Sequence, residues 1–220
     1  MSHPPVQAVI WDFGGVISSS PFEAFAAYEQ AHGLPRDFLR TVNATNHLDN
    51  AWARFERSDI DLAAFDDAFA QESAALGHAV RGRAVIALLG GTIRPQMVQA
   101  LRVLRERLKI GLITNNVASP GAENADPTGR DAVLPLFHHV IESAKLGLRK
   151  PDPRIYTLMC EALDVAPAHC VFLDDLGVNL KPARALGMHT IKVDEPDPAL
   201  ARLEELVGFP LRGQQPGPDA

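Results

Sequence analysis

Three apolar runs of strand length in this chain stop on polar residues, and that shared ending limits the folds open to it more than any other feature. Val9-Ile10-Trp11 ends at Asp12 and turns through Phe13-Gly14-Gly15-Val16. Lys109 to Ile113 runs into Thr114-Asn115-Asn116, and Cys170 to Leu173 runs into Asp174-Asp175. In an open parallel sheet, ligands bind beyond the carboxyl ends of the strands, and glycine there lets the backbone approach an anion closely. One such Asp caps a turn as readily as it binds a ligand. Three strand ends of similar chemistry, with Lys150 held extended ahead of Pro151, point instead to a phosphoryl or metal site.

The strand-like runs are Val6 to Trp11, Ile110 to Thr114, Val140 to Ser143, Cys170 to Leu173 and Thr190 to Val193. They alternate with helical stretches, which predicts an α/β fold: a parallel sheet with helices on both faces. One long gap after the first strand lacks any strand pattern. It reads as an inserted α-helical cap over residues 18–90, leaving residues 1–17 and 91–220 as the core domain.

Within the insertion, Ser20-Pro21-Phe22-Glu23 carries a helix start, and Gly33 stops that helix. Leu62, Phe65 and Phe69 recur at helical spacing behind Asp61, a pattern that suits core better than a substrate box. In the core, Arg94-Pro95 opens a helix with Val98, Leu101, Leu104 and Leu108 inward, and Asp152-Pro153 opens one with Ile155, Leu158, Met159 and Ala162 inward. Ser119 to Arg130, rich in Pro, Gly, Asn and Asp, reads as a surface loop. The tail from Arg212 to Ala220 reads as disordered.

A formal charge of −6 with no run of Lys or Arg argues against nucleic acid or anionic membrane as the main partner. No apolar stretch approaches the roughly 18 residues that span a bilayer, and Met1-Ser2-His3-Pro4-Pro5 lacks the order of a signal peptide, so a cytoplasmic location is expected. Cys160 and Cys170 read as a reduced, structural pair.

The four motifs D-F-G-G-V, I-T-N-N, K-P-D-P and F-L-D-D, in this order, resemble those of the haloacid dehalogenase-like hydrolase superfamily. The stretches 94–116 and 141–188, including I-E-S-A-K-L-G-L-R-K-P-D-P-R-I-Y, are similar to the N-terminal phosphatase domain of soluble epoxide hydrolases. The resemblance implies a Rossmann-like sheet with the first strand central and the fourth beside it. It makes Asp12 a nucleophile that becomes an aspartyl phosphate, Thr114 a hydrogen-bond partner of the phosphoryl oxygens, and Lys150 the neutralising cation. Gly15 and Asn115 would border the phosphate or substrate. Mg2+ would be held by Asp12, the carbonyl of Gly14, Asp174 and Asp175, with Asp175 the first choice as direct ligand. The substrate would be a small phosphorylated metabolite.

Those roles agree with elementary electrostatics. A phosphoryl dianion and a carboxylate repel, so attack needs cations between them, and Mg2+ prefers a few carboxylate oxygens completed by water and phosphate. Arg149, beside Lys150, reads as surface charge.

One position departs from the family pattern. Members usually carry an Asp two residues after the nucleophile as general acid and base; here that residue is Gly14. Its loss predicts a phosphatase slowed by roughly 10²- to 10⁴-fold on ordinary alkyl esters, less on aryl or acyl phosphates. His47 and Asp49 are candidate replacement donors. A non-catalytic module binding magnesium and a phosphorylated metabolite is the alternative. A haloacid dehalogenase is disfavoured because the acidic pair would repel a haloacid. The cap offers Asn43, Asn46, His47, Arg54 and Arg57 for selectivity.

Overall fold

A computed structural model describes residues 5–117 and 129–212. Most of the proposed surface loop and the tail beyond Arg212 lie outside them. Five strands form one parallel sheet in the order β3-β2-β1-β4-β5: β1 (Ala8–Trp11), β2 (Lys109–Thr114), β3 (His139–Glu142), β4 (Cys170–Asp174) and β5 (His189–Lys192). This is the expected α/β architecture, with every strand found within two residues of its sequence bounds.

Side chains alternate across a strand, so a sheet covered on both sides needs apolar residues at both parities. Val9, Trp11, Ile110, Leu112, Val171 and Leu173 pack on one face with α6 (Pro95–Arg105) and α11 (Pro196–Val207). Ala8, Ile10, Ile113 and Phe172 pack on the other with α9 (Pro153–Leu163) and α10 (Gly177–Ala185). In α9 the expected inward set needs correction. Leu158 and Ala162 face outward, and the buried stripe is Ile155, Tyr156, Met159, Cys160 and Leu163. The helix carries two adjacent apolar stripes, and contact with β2 and β3 selects this one. Gly111 helps: a Cβ there would collide with Met159. The two thiols face each other at 3.8 Å, both buried and free.

The short α7 (Arg130–Val133) and α8 (Ser143–Leu146) precede and follow β3, while between β1 and α6 lie five helices: α1 (Phe22–Ala31), α2 (Phe38–Ala44), α3 (Ala51–Glu56), α4 (Leu62–Ala75) and α5 (Gly82–Ile86). They enclose an apolar cluster of their own, in which Phe55 stacks on Phe65 and Phe65 meets Phe69. Asp61 caps α4 by accepting from the Ala64 N–H. The chain enters and leaves this group side by side: Ser18 bridges Ile93, Ser19 N–H donates to the Thr92 carbonyl at 2.8 Å, and Arg94 N–H donates to that of Ile17 at 2.8 Å. Among the described residues no helix is long and apolar enough to cross a membrane.

Candidate active site

Strand register decides which side chains meet. Trp11 pairs with Leu112 on β2 and Leu173 on β4, and the Asp12 N–H donates to the Leu173 carbonyl at 2.9 Å. The residues just beyond these pairs, Asp12, Thr114, Asp174 and Asp175, therefore emerge at one edge of the sheet. Carboxylate oxygens of Asp12, Asp174 and Asp175 lie within 4.8 Å of one another, and could hold a metal ion.

Lys150 is the counterweight. Its ammonium, 1% exposed, sits 2.7 Å from Asp12 Oδ1 and 2.7 Å from Asp174 Oδ2. Burial alone would depress it, but the two carboxylates outweigh that and hold it above its ordinary value. Burial pushes the Asp12 carboxyl well above the usual carboxylate range; Lys150 opposes this, while Asp174 and Asp175 reinforce it. Asp175 is pushed up to about 6, chiefly by burial and then by Asp174, against the pull of Lys150. Among the described residues Lys150 is the cation in ion-pair contact with Asp12 and Asp174, and Arg94 also draws on Asp175.

Asp174 is fully committed. Besides Lys150, it accepts from the Leu176 N–H at 2.8 Å and from Asn179 Nδ2 at 3.0 and 3.1 Å, and the Tyr156 hydroxyl donates to the Asn179 carbonyl at 2.7 Å. Asn179 and Tyr156 escape sequence reasoning. Their one signal is position, Asn179 four residues beyond Asp175 and Tyr156 six beyond Lys150.

Both glycines after Asp12 have distinct surroundings. Gly15 has φ +73°, and a Cβ there would run into the Asp175 carboxylate. Its carbonyl accepts from Arg94 Nη1 at 2.9 Å. At Gly14 a Cβ would meet nothing within 4 Å, so this backbone lines open space.

That space is a cavity of about 820 Å³ between the sheet edge and the inserted helices, lined by Asp12, Gly14, Thr114, Asn115, Lys150 and Asp175 below, and by Phe22, Trp52 and Leu89 above. Its volume falls in the range of small-molecule sites. Of the five polar residues singled out in the insertion, Asn43 and His47 line it, and Asn46, Arg54 and Arg57 do not; nor does Asp49, which is exposed and pairs with Arg57. Arg40 and Arg130 also line it.

Asn115 reaches the cavity, but its amide is occupied: Oδ1 accepts from the Lys150 N–H at 2.8 Å, and Nδ2 donates to the Lys150 carbonyl at 3.0 Å. Arg149 is not the surface charge expected. Its side chain is 16% exposed and its Nε lies 2.5 Å from Oε2 of Glu56, because the inserted helices cover it.

The chain is similar to known proteins in sequence and in fold. Residues 6–187 match the sequence profile of the haloacid dehalogenase-like hydrolases. The chain belongs to that family. It is 35% identical over 211 residues to mouse acyl-CoA dehydrogenase family member 10, covering 93% of this chain and 19% of that protein. It is 32% identical over 223 residues to pig bifunctional epoxide hydrolase 2, covering 94% of this chain and 40% of the relative. The chain thus spans less than half the length of either relative. A Mycobacterium tuberculosis protein named phosphatase MT3486 is 28% identical, with 86% of this chain and 88% of that one aligned. In fold, the chain matches a family enzyme of Bacteroides thetaiotaomicron solved as a magnesium complex, with TM-score 0.60, 22% identity, and coverage of 90% of this chain and 100% of that one. The expected resemblance to epoxide hydrolase and the expected hydrolase class are both supported.

Proposed function

We propose that this hydrolase cleaves small phosphomonoesters with magnesium, through an aspartyl phosphate on Asp12, and that the inserted helices act as its cap. The observation that carries the reading is Lys150 held at 2.7 Å between Asp12 and Asp174 on the floor of the cavity. A lysine so placed brings a positive charge to the nucleophile's own oxygen, where an incoming phosphoryl group would otherwise be repelled. The magnesium complex of the Bacteroides enzyme and the name of the mycobacterial relative point the same way.

The donor set fits magnesium. All three acids offer hard oxygen, and one lysine leaves them short of positive charge. Asp12, Asp175 and the Gly14 carbonyl would hold the ion, since Asp174 is saturated by Lys150, Leu176 and Asn179. When bound, it supplies charge neutralisation at the phosphoryl oxygens.

The remaining chemistry belongs to the chain. An Asp12 oxygen attacks phosphorus as the bond to the leaving oxygen breaks, and Thr114 hydrogen-bonds the transferring group. Water then attacks the same phosphorus and regenerates the carboxylate. With Gly14 in place of an acid, the departing alkoxide takes its proton from water, so activated esters react fastest. The apolar upper wall at Phe22, Trp52 and Leu89 suits an ester whose organic part is not strongly polar.

Gly14 also favours a second reading, a magnesium and phosphometabolite-binding module without turnover. Purified protein should release phosphate from p-nitrophenyl phosphate only with magnesium, and Asp12→Asn should abolish release. Metal-dependent thermal stabilisation by inorganic phosphate, with no release from any ester tested, would favour the binding module.

A further inference from the structure

Glu56, the last residue of α3, is a buried carboxylate that the proposed chemistry does not use. Its Oε1 accepts from Trp52 Nε1 at 2.9 Å. Its Oε2 accepts from Arg149 Nε at 2.5 Å and from Asn115 Nδ2 at 3.4 Å. Arg149 also donates through Nη1 to the carbonyl of His47 at 3.0 Å, so one guanidinium holds two places on the inserted helices and their loops.

Both partners on the sheet side belong to Lys150. Arg149 precedes it in the chain, and Asn115 grips its N–H and its carbonyl. With Lys150 O and Glu56 Oε2 as acceptors, the Asn115 nitrogen has a use for each hydrogen; a flipped amide would turn its oxygen toward two other oxygens. Glu56 thereby favours the one amide orientation that clamps Lys150.

We infer that Glu56 is a positioning residue: a carboxylate from the cap that, through Asn115 and Arg149, fixes the backbone of Lys150 and so the ammonium between Asp12 and Asp174. The pair is 8% and 16% exposed, and removing either member leaves a buried charge unpaired. Lys150 is then correctly set only while the cap is seated. The kinetic side of this inference rests on the phosphatase reading; the structural side does not.

Glu56→Gln, Arg149→Met and the double variant test it. With p-nitrophenyl phosphate and magnesium, each single variant should lower kcat about 10- to 100-fold, with KM moving less than about threefold. The double variant should fall no further than the worse single one, because both break one link. Independently of turnover, the rate at which an amine-reactive reagent modifies Lys150, read by peptide mass spectrometry, should rise several-fold in Glu56→Gln relative to exposed Lys192. Should Glu56→Gln fail to fold, Glu56→Asp, which keeps the charge but retracts it, should show the same changes in smaller measure.

If wild-type protein releases no phosphate, the phosphatase reading falls and the labelling of Lys150 still decides the role of Glu56. Unchanged protection of Lys150 in the variant overturns the inference whatever happens to kcat. A rise in KM at constant kcat also overturns it, making Glu56 a substrate-binding residue.

Discussion

Lys150 and Asp12 form a buried ion pair, 2.7 Å from ammonium to carboxylate, in which the lysine is the more heavily supported partner. It answers to Asp174 as well, while Asp12 has two acids pressing on it. The two residues should therefore respond in opposite ways to neutral replacement. Lys150→Met strands two buried carboxylates and should cost about 3–5 kcal/mol. Asp12→Asn removes a charge that the fold disfavours, and should leave the metal-free protein as stable or more stable at pH 8. Urea unfolding of both variants in EDTA measures this. A large loss in Asp12→Asn would contradict the electrostatics described above.

Asp175 sets a pH dependence. Its carboxyl stands at about 6 in the fold against an ordinary value of 3.8, so between those values the folded chain keeps a proton that the unfolded chain has released. The stability this contributes is fully present below about pH 4 and is lost as pH rises through about 6. The loss is at most about 3 kcal/mol, reduced by solvent at the cavity face. Urea midpoints in EDTA from pH 4 to 7 should fall more steeply for wild type than for Asp175→Asn. Parallel curves would remove Asp175 as the source.

Gly14→Asp should fold, since the added side chain starts in open space. It should speed hydrolysis of alkyl phosphates by up to roughly 10²- to 10⁴-fold, the range of general acid help, and that of aryl phosphates far less. Equal gains for both classes would mean that protonation of the leaving group does not limit the rate.

Gly15→Ala should behave quite differently. A methyl group there meets the Asp175 carboxylate, at a positive φ that alanine tolerates poorly. The variant should lose about 1 kcal/mol or more of stability, and should need clearly more magnesium for half-maximal activity. An unchanged magnesium requirement would separate Asp175 from the metal.

Much of this was legible in the sequence. Apolar runs ending in Asp12, Thr114 and Asp174 marked the strands and the edge where they open, because strand periodicity and strand ends are local properties. What was not legible depends on tertiary contact. Nothing near Arg149 says that α3 will cover it, so it reads as a solvated charge. The second stripe of α9 becomes the inner one only when the sheet is in place. Asn115 sits at the expected strand end, yet its amide is turned to the Lys150 backbone, a pairing set by tertiary contact and not by spacing.

The paired crossing at Ser18 and Ile93 has a consequence for how such a protein changes over time. Because the chain departs and returns through a single narrow neck, everything between is topologically equivalent to one elongated loop, and its length or content can vary without reordering any strand. On the proposed function, selectivity can therefore diverge while the chemistry at the strand ends is retained, except where a residue such as Glu56 would couple the two histories.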